Sequence, residues 1–338
     1  MKKNFTIFLT LLMCIVSLYS CKKKEEPVIY SGSVMIYTTL DEPVIKAIKT
    51  DFENIYPGVV LDYYYGDIDR INNKLDIEYE SGQINTDVVF LANELNLENL
   101  KQKSMITPYE SKELKKISAN YKEQNNYYYA GAVTTMGIGY NVSEDFGIDS
   151  KSAPKTWNDF LNNDYSGKMA LANPNNDSYV KYWVMAMMQN QNYSDTYFRR
   201  LRDYGVVIKN TENEVVDNLL NGSYKVGLCY DENSVGLISE YDDFKFDYAN
   251  SDNVTMMTGL ALISDALNDT NAKLLIDYIL SKRCQELLVS QGLISARTDV
   301  KNVLNSQSII EKSIKVDLND IKDNGEKYLA TFNDIFGD

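Results

Sequence analysis

Histidine is absent from all 338 residues of the sequence. The chain therefore lacks the most frequent general base of enzymes and the commonest imidazole ligand of metals. A G-x-S-x-G elbow, a Walker loop and a G-x-G-x-x-G fingerprint are missing as well. These absences predict a protein that is not an enzyme. A carboxylate pair of the kind used by glycosidases could still occur among the 48 acidic residues, so a histidine-independent hydrolase is kept as the less favoured alternative.

Cysteine is scarce, with four in the sequence and no CxxC pair. Without clusters of cysteine or histidine, a structural zinc site is not expected. Cys229 and Cys284 lie in the part of the chain that should fold. Outside the cytoplasm they could form a disulfide, or they could be two separate buried thiols, and the sequence leaves both alternatives open.

Basic residues are outnumbered, with 34 lysines and arginines against 48 acidic residues and a formal net charge of −14. No basic stripe occurs apart from the three lysines at 22–24. Nucleic-acid phosphates would repel such a chain, so nucleic acid is not an expected partner. The acidic surface suits a cationic ligand, although solubility alone would also explain it.

Long apolar runs are missing after the first 20 residues, and residues 5–16 are mostly apolar but too few to span a bilayer. Two lysines precede this run, and Leu18-Tyr19-Ser20 leads into Cys21. The segment resembles a bacterial lipoprotein signal peptide with its lipobox. The resemblance implies removal of residues 1–20 and acyl chains on Cys21, which would hold the protein on the extracytoplasmic side of a membrane, in the periplasm or on the outer surface. Residues 21–33 would form the lipid-anchored tether.

The sequence then alternates between strand and helix patterns. Apolar runs at 34–37, 59–65 and 86–91 predict strands, and helical spacing of apolar residues predicts helices at 44–52 and 67–80. Short links between such elements indicate a parallel sheet. Ligands bind such sheets beyond the carboxyl ends of the strands, where helix N-termini offer free N–H groups.

A second set of elements follows. Residues 130–133 and 138–141 are predicted to leave the first lobe as strands, and residues 256–263 to return to it. Between them we expect an apolar helix near 175–189 and a strand at 224–230 that ends in polar residues.

Several short motifs occur in a characteristic order along the chain. They are Tyr37-Thr38-Thr39, Tyr65-Gly66-Asp67, Thr86-Asp87-Val88-Val89-Phe90, Gly167-Lys168, Ala172-Asn173-Pro174, Asn221-Gly222-Ser223-Tyr224, Val226-Gly227-Leu228, and Leu280-Ser281 followed by Gln285. In this order they resemble the extracytoplasmic solute-binding proteins of ABC importers, and most nearly the ferric-iron group. The resemblance covers roughly residues 34–300.

The resemblance implies an α/β fold with two lobes, the type II periplasmic-binding-protein fold. Each lobe would be a mixed, mostly parallel sheet flanked by helices, and two crossover strands would serve as the hinge. Lobe 1 is predicted at 34–136, completed by 258–338, and lobe 2 at 137–257. The implied function is capture of a small solute by hinge closure and delivery to a membrane permease and its ATPase, with the protein acting as a monomer and holding no cofactor of its own.

The motif positions and the strand ends together predict the ligand site. The candidate ligand-binding residues are Tyr37, Thr38, Thr39, Asp41, Asp67, Asn173, Ser178, Tyr179, Tyr230, Asp231 and Glu232. Counting along the family's pattern puts Asp41 at one iron-ligand position and Ala92 at a second, with Glu94 two residues further on. Where the family has a pair of tyrosines, this chain has Tyr230-Asp231-Glu232-Asn233, so the tyrosine pair is missing. Asp41, Tyr230 and Glu232 are the candidate metal ligands, because Fe³⁺ prefers hard oxygen donors.

Two kinds of ligand remain open from the sequence. Ferric iron is the expected cargo. The alternative is an oxyanion such as a phosphate ester or phosphonate, held by hydroxyls and amides at Thr38, Thr39, Asn173, Asn176 and Ser178 together with helix N–H groups.

Overall fold

The computed structural model describes residues 29–145, 147–149, 151–304, 306–310 and 313–337. The predicted signal peptide, Cys21 and most of the tether lie outside the described residues. The first strand begins at Gly32, within the end of the predicted tether. No helix among the described residues is long and apolar enough to cross a membrane.

The first lobe alternates strands and helices, as predicted. Its elements are β1 (Gly32–Thr38), α1 (Glu42–Ile55), β2 (Val59–Tyr65), α2 (Ile68–Glu80), β3 (Val88–Ala92), α3 (Glu94–Gln102) and β4 (Ile106–Thr107), followed by 3-10 helices at Lys112–Lys116 and Ala119–Tyr121. β1 pairs in parallel with both β2 and β3. The carboxyl ends of these three strands therefore meet at one edge of the sheet.

Helix α1 illustrates why the sequence specifies these elements. Val44, Ile45, Ile48 and Phe52 recur at helical spacing, and all four are buried against the sheet. The helix ends just before Pro57, which cannot continue it.

The second lobe follows along the chain. Its elements are β5 (Tyr129–Asn141), 3-10 helices at Trp157–Leu161 and Asn163–Tyr165, β6 (Met169–Ala172), α4 (Ser178–Gln189), α5 (Ser194–Asp203), β7 (Val207–Lys209), α6 (Glu212–Leu220), β8 (Val226–Tyr230), α7 (Asp231–Glu240) and β9 (Phe244–Asp247). β6 lies parallel to β7 and β8, while β5 runs antiparallel to β8 and β9.

Two long strands connect the lobes, as predicted: β5 and β10 (Thr255–Ile263). β5 pairs with β10 through its first half and with β8 through its second half, and β10 also pairs with β3. The sheet order is β2-β1-β3-β10-β5-β8-β6-β7. Met256 packs in the second core and Met257 in the first, so β10 changes lobe between these two residues.

The C-terminal part of the chain divides between the lobes. Helices α8 (Asp269–Leu280) and α9 (Lys282–Ser290) pack on the first lobe, and a short α10 (Gln307–Ile310) leads to α11 (Leu318–Phe336). The apolar face of α11 joins the second core through Ile321, Leu329, Phe332 and Ile335. We predicted that residues 258–338 would complete lobe 1, whereas α11 packs on lobe 2. Helical periodicity shows which face of α11 is buried but not which lobe covers it.

Both cysteines of the described residues are free thiols. Cys229 is buried in the second core and Cys284 in the first, so they do not pair.

Candidate functional site

A cleft of about 860 Å³ lies between the two lobes. Its first wall is formed where the parallel strands of lobe 1 end, at Thr39 after β1, Gly66 after β2 and Asn93 after β3. Its second wall includes Ser178 and Tyr179 at the start of α4. The cleft thus occupies the place where open α/β sheets bind ligands.

Asp41 is an exposed carboxylate of the first wall. It occupies the N-cap position of α1, but its side chain makes no capping hydrogen bond, and it is exposed to the cleft. An N-cap aspartate ordinarily accepts a hydrogen bond from the first turn of its helix. The carboxylate of Asp41 is therefore available to a ligand.

Glu232 lies behind the cleft residue Tyr179 on lobe 2, in the first turn of α7. Its Oε2 lies 3.1 Å from the Thr134 hydroxyl and 3.4 Å from the Tyr179 hydroxyl, and both hydroxyls donate to it. Burial raises the pKa of Glu232, and the charge of Asp41 raises it further. The carboxyl groups of Asp41 and Glu232, which belong to opposite lobes, therefore repel each other.

Two tyrosines stand beside Glu232. The rings of Tyr179 and Tyr230 pack with centroids 4.8 Å apart. Tyr179 lines the cleft, whereas Tyr230 lies behind it, close to the carboxyl groups of Asp177 and Glu212. Burial raises the pKa of both phenols well above the ordinary value, and the neighbouring carboxyl groups add to the effect. Both phenols are consequently protonated in the empty cleft.

The helix N-termini at the cleft already hold side chains of this chain. Asp67 accepts a hydrogen bond from the Arg70 N–H at 2.8 Å, and Asp177 accepts from the N–H groups of Tyr179 and Val180 at 3.0 Å each. Two of the sites that an oxyanion would need are thus filled by carboxylates.

Three of the predicted ligand residues serve the fold instead. The Tyr37 hydroxyl donates to Glu78 at 2.8 Å, and burial raises the pKa of Tyr37 to about 12. The Thr38 hydroxyl donates to the Phe90 carbonyl at 2.9 Å. Asp231 is fully buried and lies away from the cleft, and burial raises its pKa to about 7.

Asp231 braces the hinge rather than facing the cleft. Its two oxygens accept from the Thr135 N–H at 3.0 Å and from the Tyr248 hydroxyl at 2.9 Å. Asp231 and Glu232 are successive residues at the start of α7, and helix geometry directs their side chains to different sides. Of the two, only Glu232 contacts a residue of the cleft lining, Tyr179.

The remaining predicted residues divide as follows. Thr39, Asp41, Asp67, Ser178 and Tyr179 line the cleft together. Asn173 lies outside the cleft lining, and its side-chain oxygen accepts from the Asn175 N–H at 2.9 Å. The oxygen of Thr39 accepts from the Ala92 N–H at 2.8 Å, which ties the ends of β1 and β3 together.

Sequence reasoning missed one whole wall of the cleft. It is formed by α11 and the adjoining face of α4, and its members are Tyr182, Met185, Ile321, Lys322, Gly325 and Glu326. A row of asparagine amides was missed as well: Asn93, Asn96, Asn99 and Asn175. The helical spacing of Asn96 and Asn99 on α3 was a signal available in the sequence. The wall formed by α11 was missed because α11 was expected to pack on lobe 1, whereas it packs on lobe 2.

The donor set of the cleft is oxygen-rich. Among the described residues, no group of three or more histidine, cysteine, aspartate or glutamate side chains is arranged to hold a metal ion. The carboxyl group of Asp41 and the hydroxyl of Tyr179 belong to the cleft lining, and the carboxyl group of Glu232 contacts that hydroxyl.

Comparison with known proteins agrees with this architecture. The fold is that of type II periplasmic binding proteins. An iron-bound HitA from Pseudomonas aeruginosa superposes with a TM-score of 0.75 at 16% identity, covering 90% of this chain and 99% of that one. The periplasmic binding protein AfuA from Actinobacillus pleuropneumoniae, with fructose-6-phosphate bound, superposes with a TM-score of 0.71 at 18% identity, covering 91% and 99%.

The chain belongs to the family of bacterial extracellular solute-binding proteins, whose profile matches residues 86–324. An uncharacterized protein from Haemophilus influenzae is 24% identical over 245 residues, which is 67% of this chain. The match spans 66% of that relative, just under two thirds of its length.

Proposed function

We propose that this protein is the solute-binding component of an ABC importer and that its cargo is ferric iron. The observation that carries the proposal is the acidic lining of the cleft, to which Asp41 contributes from lobe 1, with the carboxyl group of Glu232 on lobe 2 in contact with the cleft residue Tyr179. Like charges across a hinge repel each other while the cleft is empty. A cation between them turns that repulsion into attraction to both lobes, so binding and closure are coupled.

The charge of the cleft supports a cation. Its lining contains five acidic side chains, which are Asp41, Asp67, Asp69, Asp177 and Glu326, against the two lysines Lys181 and Lys322. Glu232 adds a sixth carboxyl group behind Tyr179. A site with this excess of negative charge attracts cations and repels anions.

The donor atoms support a hard, highly charged cation. Carboxylate and phenolate oxygens are the ligands that Fe³⁺ prefers, and the Tyr179 hydroxyl lies within 3.4 Å of Glu232. A phenol with a raised pKa releases its proton only when a strong positive charge takes its place. Tyr179 rather than Tyr230 is the phenol placed at the cleft. The cleft exceeds the volume of one ion, so water or an anion carried with the iron would fill the remainder.

Delivery follows from the predicted anchor. Acyl chains on Cys21 would keep the two lobes near the permease and its ATPase on the extracytoplasmic side, and closure would mark the loaded receptor. The protein would bind its cargo as a monomer and return it unchanged, without enzymatic turnover.

An oxyanion such as a phosphate ester or phosphonate is the second candidate. Lys181 and Lys322 in the cleft favour it, and AfuA binds fructose-6-phosphate. The carboxylates of Asp67 and Asp177 at the helix N-termini oppose it.

Titration with ferric citrate tests the proposal. We expect a visible tyrosinate-to-iron band in the wild-type protein, because a phenolate oxygen joins the iron. Tyr179→Phe should abolish the band, whereas Tyr230→Phe should keep it. Asp41→Asn and Glu232→Gln should each weaken binding by on the order of tenfold or more, since each removes one charged donor.

Asp69→Asn is the matched control, since Asp69 is an exposed cleft carboxylate in the first turn of α2 rather than at the end of β1. Its ferric affinity should stay close to that of the wild type. No band and no stabilisation with iron, together with a thermal shift caused by phosphate esters or phosphonates, would replace iron with the oxyanion.

A further inference from the structure

Glu94 lies at the hinge and outside the ligand cleft. It is the first residue of α3, and its carboxyl group borders a separate cavity of about 370 Å³ together with Tyr121, Tyr128 and Tyr182. The preceding residue, Asn93, has a φ of +50°, which is uncommon for a residue with a side chain. This turn places Asn93 and Leu95 on the cleft and Glu94 on the other cavity.

The carboxyl group of Glu94 contacts both lobes. One oxygen accepts a hydrogen bond from the Tyr182 hydroxyl on α4 of lobe 2. The other accepts from the Met257 N–H of β10 at 3.2 Å. Met257 is the residue at which β10 passes from the second core to the first. Glu94, on α3 of lobe 1, therefore contacts both α4 of lobe 2 and the residue at which β10 passes between the lobes.

Further contacts of α3 with lobe 2 reinforce this position. Leu95 belongs to a lobe 1 helix yet packs against the second core. At the far end of α3, the Lys322 ammonium of α11 donates to Gln102 Oε1 at 2.5 Å. The first of these contacts is close to the hinge and the second is at the exposed rim of the cleft. Burial raises the pKa values of Glu94 and Tyr182, so the pair retains its protons to higher pH than exposed groups would.

We propose that Glu94 is a positioning residue of the hinge, whose contacts with Tyr182 and Met257 favour the arrangement of the two lobes seen in this structure. It does so without touching the cargo, because its carboxyl group borders the other cavity. Only the expected effect of Glu94 on the affinity for ferric iron rests on the proposed receptor function. The effect on lobe arrangement stands independently.

Tyr182→Phe is the decisive variant, since it removes one hydroxyl and keeps the buried ring. In the cargo-free protein, small-angle X-ray scattering should give a larger radius of gyration, because the lobes separate more often. A receptor whose binding arrangement is less populated binds more weakly, so affinity for ferric citrate should fall roughly 3- to 30-fold. Glu94→Gln should act in the same direction. The double variant should be less impaired than the sum of the single effects, since both changes break one contact.

Tyr128→Phe is the matched control. Its hydroxyl also donates to a glutamate, Glu98 at 3.1 Å, but both residues lie in lobe 1. Scattering and affinity should match the wild type. Unchanged scattering in Tyr182→Phe would overturn the proposal, even with weakened binding, because the effect would not pass through the lobes. If the wild type bound no iron at all, the proposed cargo would fail while the scattering comparison still decided the role of Glu94.

Discussion

Carboxyl groups held away from water distinguish this molecule at the level of single residues. Burial raises the pKa of Glu94, Glu212, Asp231 and Glu232 alike. Glu232 and Glu94 have positions that connect the lobes. Glu212 has no such role in the fold: it is 2% exposed, and its Oε1 has no hydrogen-bond partner. Ionisation of Glu212 should therefore lower the free energy of unfolding.

Glu212→Gln tests this cost. Burial raises the pKa of Glu212 from 4.5 to about 7, so the folded chain keeps this proton to a higher pH than the unfolded chain does. Stability is then lost as the pH rises from the unfolded value through the folded one. At pH 8 the amide variant should be more stable than the wild type by on the order of 3 kcal/mol, and at pH 4.5 the two should be equal.

Urea denaturation at both pH values measures the difference. Glu214→Gln, a change in the same helix at a residue that is only half-buried, is the control and should leave the pH dependence intact. A Glu212→Gln variant that is less stable than the wild type at pH 8 would contradict the expectation, because the carboxylate would then have an essential partner.

Residue roles were only partly accessible from the sequence. The strand-end rule brought Thr39, Asp41 and Asp67 to one edge correctly, because parallel strands end together. It could not separate Asp231 from Glu232, which are adjacent in sequence but take different sides of one helix turn. Tyr37 illustrates the same limit, since the alternation of a strand sends every second side chain into the core.

At the level of elements, the connecting strand β5 is the most constrained. All 13 of its residues are buried, and its glycines lie against large side chains. A Cβ on Gly139 would meet Cys229 Sγ at 2.5 Å and Phe244 at 3.3 Å. The distance to Cys229 Sγ is shorter than a Cβ can tolerate, so either the β5 backbone or the side chain of Cys229 would have to move.

Gly139→Ala should therefore destabilise the protein by about 1–3 kcal/mol, measured as the free energy of unfolding in urea. Gly236→Ala is the matched control, because Gly236 lies within α7 and a Cβ there meets nothing within 4 Å. It should be neutral or raise stability by up to about 1 kcal/mol, since alanine favours helix over glycine. Equal effects of the two substitutions would show that the close approach in β5 is unimportant.

The connecting strands could be predicted from sequence, whereas the place of α11 could not. β5 and β10 are mostly apolar segments that contain glycine and threonine, a local pattern that predicts strands. Where α11 packs depends on a long-range match: Gly325 allows Met185 of α4 to approach, with the methyl carbon 3.2 Å from an added Cβ. Such complementarity between distant segments has no signature in either segment alone.

The molecule as a whole consists of two cores joined through one continuous sheet. A ligand that binds between the cores stabilises the folded state by mass action, because the unfolded chain has no cleft. At a free concentration about 100 times Kd, ferric citrate should add about 2.7 kcal/mol to the free energy of unfolding. Calorimetry with and without the chelate measures this gain.

Asp41→Asn supplies the control for that experiment. The variant should unfold as the wild type does without iron. At the same chelate concentration, a tenfold loss of affinity should reduce its gain to about 1.4 kcal/mol, because Asp41 lines the cleft. A full gain in Asp41→Asn would show that iron binds elsewhere on the acidic surface.

The packing of α11 on the second lobe has a consequence for biogenesis. The chain enters lobe 2 along β5 and returns to lobe 1 along β10. It then returns to lobe 2, where α11 packs. As the chain emerges from its N-terminus, the second lobe stays incompletely covered until α11 (Leu318–Phe336) has emerged. A truncated chain that lacks α11 should consequently be degraded by proteases rather than accumulate as a receptor that binds solute weakly.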